Sequence, residues 1–127
     1  MLAAISAAAT IAAAPKKVVT TTKTVVGPQE VADRWGYVEV TLLVKKTTTT
    51  TRTHRKVTRK ITRVGVPVYP NHTDRSIFIN GQAVPWLKQE VLQAQFDPNI
   101  QMVGGATATS IAFEQSLQAA LLKARKV

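Results

Sequence analysis

The sequence has no cysteine, only two histidines, and no Asp or Glu between Val40 and Thr73. Without cysteine the fold has neither disulfides nor a thiolate zinc site; the absence suits a reducing compartment without requiring one. His54 and His72 stand apart, and no HxxxH pair or paired-carboxylate spacing builds a metal site around either. His72, Asp74 and Ser76 carry the side-chain types of a hydrolytic triad, but triads are assembled from distant positions, and groups two apart in one loop do not reach that geometry. No glycine-rich phosphate loop follows a strand, since Gly104-Gly105 stands alone. The chain therefore reads as a non-enzymatic protein with no cofactor and no metal.

Long apolar runs are missing as well. The opening "MLAAISAAATIAAAPKK" holds thirteen uncharged residues, Leu2 to Ala14, against about 20 needed to span a bilayer. Its charges follow the apolar run, whereas a signal peptide carries them in front. Residues 2–14 read as a buried strand or helix: alanine favours helix, while Ile5, Thr10 and Ile11 tolerate strand. At 127 residues and 45% hydrophobic content, residues 1–127 form one domain with one modest core.

What is present is positive charge. The net charge is +10, and residues 45–63, "KKTTTTTRTHRKVTRKITR", place eight Lys or Arg in nineteen positions. A field of that density and sign favours nucleic acid or an anionic membrane surface as partner. Lys and Arg neutralise phosphates, and Thr hydroxyls donate to phosphate or sugar oxygens. The stretch contains no Phe, Tyr or Trp, so it lacks the stacking platform of a standard single-strand binder. Recognition through it rests on phosphate and shape.

The residues between the charges make this surface a folded one. "VVTTTKTVV" (Val18–Val26) reads as a strand ended by Gly27-Pro28. "QEVADRWG" reads as a helical turn or a loop carrying one buried aromatic, Trp35. In "VEVTLLVKK", Val38, Val40, Leu42 and Val44 fall on one face at period two, with Glu39, Thr41, Leu43 and Lys45 on the other. Lys46 to Arg55 has no apolar residue and reads as a strand end plus a turn. "KVTRKITRVGVPV" resumes β chemistry, with Val57 and Ile61 opposite Lys56, Thr58, Lys60 and Thr62. Arg59 and Arg63 share the parity of Val57 and Ile61, which leaves the register open, and Gly65 marks a bulge that flips the faces before Val66. The two strands predict an antiparallel hairpin with one basic, hydroxylated face.

"YPNHTDRS" (Tyr69–Ser76) reads as a loop, and Asn80-Gly81 between apolar neighbours as a hairpin turn. "WLKQEVLQAQFDP" is open: its propensity is helical, yet Pro85 and Pro98 bracket a length that one strand would fill. From about Thr109 to Lys126 the pattern is helical, with Phe113, Leu117 and Leu121 spaced by four and joined by Ala120 and Ala124. A single C-terminal helix covers about half of a four- or five-stranded sheet. The uncovered remainder predicts an interface, closed by a two-fold dimer in which Phe113, Leu117 and Leu121 lie against the partner's Val40, Leu42 and Val44.

This order of elements resembles the coat proteins of single-stranded RNA bacteriophages (levivirus-like). The local likeness is best over "YVEVTLLVKK" and "THRKVTRKITRVGVPV". "EVADRW" resembles the Val-Ala-x-Trp element before that family's sheet, "AVPW" the start of its last strand, and "FEQSLQAALLKA" its long dimer helix. The resemblance implies an α+β fold: an N-terminal hairpin and antiparallel β-sheet followed by a C-terminal α-helix, in an interlocked two-fold dimer. It implies RNA contacts from Thr41, Leu43, Lys45, Lys56, Thr58 and Lys60, with Arg59 and Arg63 as alternates and Gln89 and Val91 on the last strand. It makes Asn71, His72, Thr73, Asp74 and Arg75 an inter-dimer loop. The expected function is a viral capsid protein that builds an icosahedral shell around single-stranded RNA, located in a virion assembled in the cytoplasm of a bacterial host. Its partners are further copies of itself and RNA, with no small-molecule substrate and no membrane; the family also represses translation through an RNA hairpin. Two rivals are a basic nucleic-acid-binding protein of ribosomal or nucleoid type, and a minor membrane-associated virion component anchored by residues 2–14.

Overall fold

The computed structural model describes residues 16–127. Strand β1 is Lys17–Val26, β2 is Glu30–Val31, β3 is Tyr37–Thr50 and β4 is Arg55–Val68, with a 3-10 turn at Asp33–Trp35. Two helices follow, α1 at Asp74–Ala94 and α2 at Thr107–Ala124. All strand pairings are antiparallel, and β3 is the strand with which β1, β2 and β4 each pair. The architecture is α+β, an antiparallel sheet followed by helices. The N-terminal hairpin partner of β1, and the choice of strand or helix for residues 2–14, lie outside the described residues.

The period-two reading of β3 holds. Val38, Val40, Leu42 and Val44 are fully buried, and Ile61, Val64 and Val66 of β4 join them in one cluster. Helix α2 lies mainly across β3 and α1 against β4. α2 presents two adjoining rows spaced by four: Ala112, Ser116, Ala120 and Ala124, all small, beside Phe113, Leu117 and Leu121. The small row lets the helix backbone come close to the sheet, and the large row fills the space beside it. Ser116 Oγ accepts from Val40 N at 2.9 Å, and Val40 O accepts from Gly27 N at 2.8 Å. A Cβ on Gly27 would run into Ser116 O and Oγ, so glycine is required by proximity here.

Three sequence expectations are corrected. Asn80-Gly81 makes no hairpin: it lies inside α1, where Asn80 is buried and donates from Nδ2 to Pro70 O at 2.7 Å. Ala83, Val84, Leu87 and Val91 form a helical apolar stripe against the core, and their burial outweighs the turn chemistry of Asn-Gly and the cost of Pro85 within the helix. With Gln89 and Val91 both in α1, the expected last strand does not exist. The Thr-rich run is mostly strand, not turn: β3 continues to Thr50, leaving only Thr51–His54 for the connection. That turn is closed by Thr51 N to His54 O at 2.8 Å and by His54 N to Thr51 Oγ1 at 3.1 Å.

The residues assigned to a dimer interface all lie in the core of the single chain. Phe113, Leu117 and Leu121 are 0–3% exposed within one chain and pack in the same cluster as its own Val40, Leu42 and Val44. The chain supplies two helices, not one, and together they cover the apolar face of the sheet.

Two substitutions measure this core. Leu117→Ala should lower the unfolding free energy by about 2–5 kcal/mol, the range for a large-to-small change at a buried site. Ser116→Ala leaves Val40 N–H buried without its acceptor and should cost about 1–3 kcal/mol. Urea denaturation checks both, and a loss under about 0.5 kcal/mol for either would show that α2 does not seat on β3 in this way.

Candidate nucleic-acid interface

Both helices lie on the valine face of β3, so the odd-numbered residues of that strand point the other way, where no described element covers them. Cross-strand pairing assembles this outer face row by row. Thr24, Leu43 and Arg63 form one row; Thr22, Lys45 and Lys60 the next; then Thr20, Thr47 and Thr58; then Val18, Thr49 and Lys56. Thr41 lies opposite Gly65, where a side chain on the glycine would collide with Thr41 Oγ1. Of the residues assigned to RNA contact, Thr41, Leu43, Lys45, Lys56, Thr58 and Lys60 are brought together on this one surface.

The bulge settles the register left open by the sequence. Leu43 pairs with Arg63 but Val44 pairs with Ile61, so Thr62 is the extra residue, and a second irregularity falls between Gly65 and Val68. The flip expected at Gly65 thus begins three residues earlier. Thr62 Oγ1 donates to Leu43 O at 3.3 Å across the first bulge. Before it, Arg59 shares the helix side with Ile61; after it, Arg63 is on the outer face. Arg59 is half-buried and donates from Nε and Nη2 to Val127 O at 3.1 and 2.8 Å, which commits its guanidinium on the far side of the sheet. Of the two alternates, Arg63 joins the surface and Arg59 does not.

Gln89 and Val91 stand apart from it: Val91 is fully buried in the core and Gln89 is exposed on α1. The expected inter-dimer loop is shorter than its sequence suggested. Asn71 and His72 are in the connection, Thr73 caps α1 by accepting from Ser76 N at 3.0 Å, and Asp74 and Arg75 are its first turn. Sequence reasoning missed Thr20, Thr22 and Thr24, and also Thr47 and Thr49, which add five hydroxyls to those of Thr41 and Thr58 on the face. Their alternation was visible, but Thr on both sides of each strand hid which set faced outward.

The layer of helices ends near Val44. Beyond it the helix-side positions of β3 are Lys46, Thr48 and Thr50, opposite Arg59, Val57 and Arg55. The far part of the β1–β3–β4 sheet is therefore an arm about 20 Å long with polar, basic residues on both faces, where one basic face was expected. Among the described residues no group of three or more His, Cys, Asp or Glu is placed to hold a metal ion, and no helix is long and apolar enough to cross a membrane. No known protein family matches the sequence, and no curated protein matches it.

Lys45 and Lys60 lie directly opposite each other, and like charges so placed oppose pairing. Lys60→Thr should raise stability at low ionic strength by roughly 0.2–1 kcal/mol, the range for cross-strand pairs. The gain should vanish near 1 M salt, where screening acts within about 3 Å. Urea midpoints at the two salt concentrations check it; a gain that survives high salt would mean that the effect is thereonine's β-propensity and not relief of repulsion.

Proposed function

We propose that this chain is a capsid subunit that binds single-stranded RNA on the outer sheet face, similar to the coat proteins of single-stranded RNA bacteriophages. The observation that carries the reading is that face itself: Lys45, Lys56, Lys60 and Arg63 set among threonines, on a surface that neither helix covers. Helices on one side and a basic sheet on the other give a shell subunit two chemically distinct sides, with the cationic one toward the packaged polyanion. Counterion release from the RNA supplies the affinity, and threonine hydroxyls add short-range donors to phosphate and ribose. The RNA surface is built from β1, β3 and β4 alone, since the segment that resembles the family's last strand is α1. Assembly through a homodimer belongs to the same proposal.

One observation favours a second reading. Phe113, Leu117 and Leu121 are already buried within one chain, which removes the need for a partner to close the core and suits a monomeric basic nucleic-acid-binding module of another class. Sedimentation of the protein expressed alone separates the two: a coat subunit runs as megadalton particles containing host RNA, a binding module as a monomer.

The RNA face has its own test. Each phosphate contact with a single strand contributes about −0.7 to the slope of log affinity against log salt. Lys56→Gln with Lys60→Gln should flatten that slope by roughly one to two units with little change in melting temperature. The control is Lys88→Gln in α1 with Lys126→Gln just past the end of α2. If the control flattens the slope as much, the sheet face is ordinary surface charge and the reading fails.

A further inference from the structure

At the end of the sheet remote from the Thr51–His54 turn, the 3-10 turn and the N-termini of both helices enclose a cleft of about 290 Å3. Its walls bring together three kinds of group. The first is the start of α2: Thr107, Ala108 and Thr109 line the cleft, and this end has no side-chain cap. The first N–H groups of a helix have no intrahelical acceptor and sit at the positive end of its dipole. Arg75, also in the wall, adds a full positive charge, and no carboxylate lines the cleft. This half suits an anion, above all a phosphate.

The second group is Asn80. It lines the cleft at 2% exposure; its Nδ2 is spent on Pro70 O, and its Oδ1 has no hydrogen-bond partner among the described residues. A buried acceptor left unpaired costs stability, and what it lacks is a donor. An anion alone does not supply one. The third group is Trp35, half-buried in the wall with the Arg34 guanidinium 5.1 Å from its ring centroid. It offers a flat aromatic surface within the cleft.

We propose that this cleft is a nucleotide site, holding the phosphate at the N-terminus of α2 beside Arg75 and the base against Trp35, with a base N–H donated to Asn80 Oδ1. The occupant deepens the RNA reading: it is one nucleotide of the bound strand turned out of its stack, and the proposal rests on that reading only for the source of the nucleotide. Aromatic stacking tolerates any base. The acceptor prefers bases that present an exocyclic amine, adenine, cytosine or guanine, over uracil, which offers only its ring imide.

Calorimetric titration with AMP, CMP, UMP and inorganic phosphate tests the site, with quenching of Trp35 fluorescence followed in a Trp86→Phe background. AMP and CMP should bind at least tenfold tighter than phosphate and quench Trp35, with UMP roughly three- to tenfold weaker than AMP. Asn80→Leu should erase the difference between AMP and UMP. Because Asn80 also holds Pro70, that variant carries a folding risk; Arg75→Gln, an exposed position, carries little and should weaken all three nucleotides about fivefold or more. Lys56→Gln with Lys60→Gln should leave mononucleotide binding unchanged. Equal affinity for phosphate and AMP overturns the assignment. So does mononucleotide binding that is lost in the Lys56/Lys60 variant and kept in Arg75→Gln, although the sheet-face reading would survive that result. Conversely, a flat salt slope for RNA with intact AMP binding would fell the sheet reading and leave the cleft standing.

Discussion

The contact of Gly27, Val40 and Ser116 fixes which side of the sheet is inside. β1 ends at Val26, and Gly27 N gives the next strand bond to Val40 O at 2.8 Å. Val40 N goes to Ser116 Oγ at 2.9 Å instead, so a helix side chain takes a place in the hydrogen-bonding of the sheet. This requires α2 within side-chain reach of the β3 backbone, which the absent Cβ of Gly27 and the small row of α2 permit. A buried N–H must be paired somewhere, and this pairing ties β1, β3 and α2 together at one point. Lys123 Nζ donating to Val26 O at 2.7 Å adds a second tie near the same strand end.

Once α2 is seated there, the distribution of charge follows. The valine face of β3 closes under two helices, and among the described residues no element lies over the odd-numbered face. β4 must then serve two constraints, apolar at Ile61, Val64 and Val66 and basic at Lys56, Lys60 and Arg63. Strict alternation cannot meet both, because Ile61 and Val64 are an odd number of residues apart. The extra residue at Thr62 reconciles them. Gln95 completes that strand from the side: Oε1 accepts from Ile61 N at 2.8 Å and Nε2 donates to Ile61 O at 3.1 Å. Its amide stands in for one residue of a neighbouring strand, satisfying the β4 edge at the position where the core begins.

The β strands were legible in the sequence because alternation is a local signal: Val38 to Val44 announced both the strand and its buried face. The α2 stripe was legible for the same reason, at period four. The α1 helix was not, because Asn80-Gly81 and Pro85 are strong local turn signals and the forces against them are tertiary: the Asn80 bond to Pro70 O and the burial of Leu87 and Val91. The full extent of β3 was not legible, because its last residues, Lys46 to Thr50, carry no apolar alternation. Thr47 to Thr50 are held by β-propensity and pairing on both sides, with no core beneath them. Of the candidate interface, the β3 and β4 residues were readable and the β1 threonines were not, since their relevance depends on β1 pairing alongside β3. The cleft at Asn80 left no sequence signal, because its walls come from segments 70 residues apart.

Two explanations for the basic arm make different demands on where the lysines lie. Lysine on an edge strand keeps sheets from pairing with one another, and Lys56 and Lys60 on β4 fit that role. Lys45 and Lys46 do not: they are in β3, which is paired on both sides at those positions. A charge in a central strand protects no edge. It also lies opposite another cation in each case, Lys45 facing Lys60 and Lys46 facing Arg59, which opposes the pairing that forms the arm. Protection from aggregation therefore accounts for the β4 charges and leaves the two β3 lysines, each opposite another cation, unexplained. Under the proposed RNA binding, a phosphate on the outer face turns the Lys45–Lys60 row from a repulsive one into a bridged one.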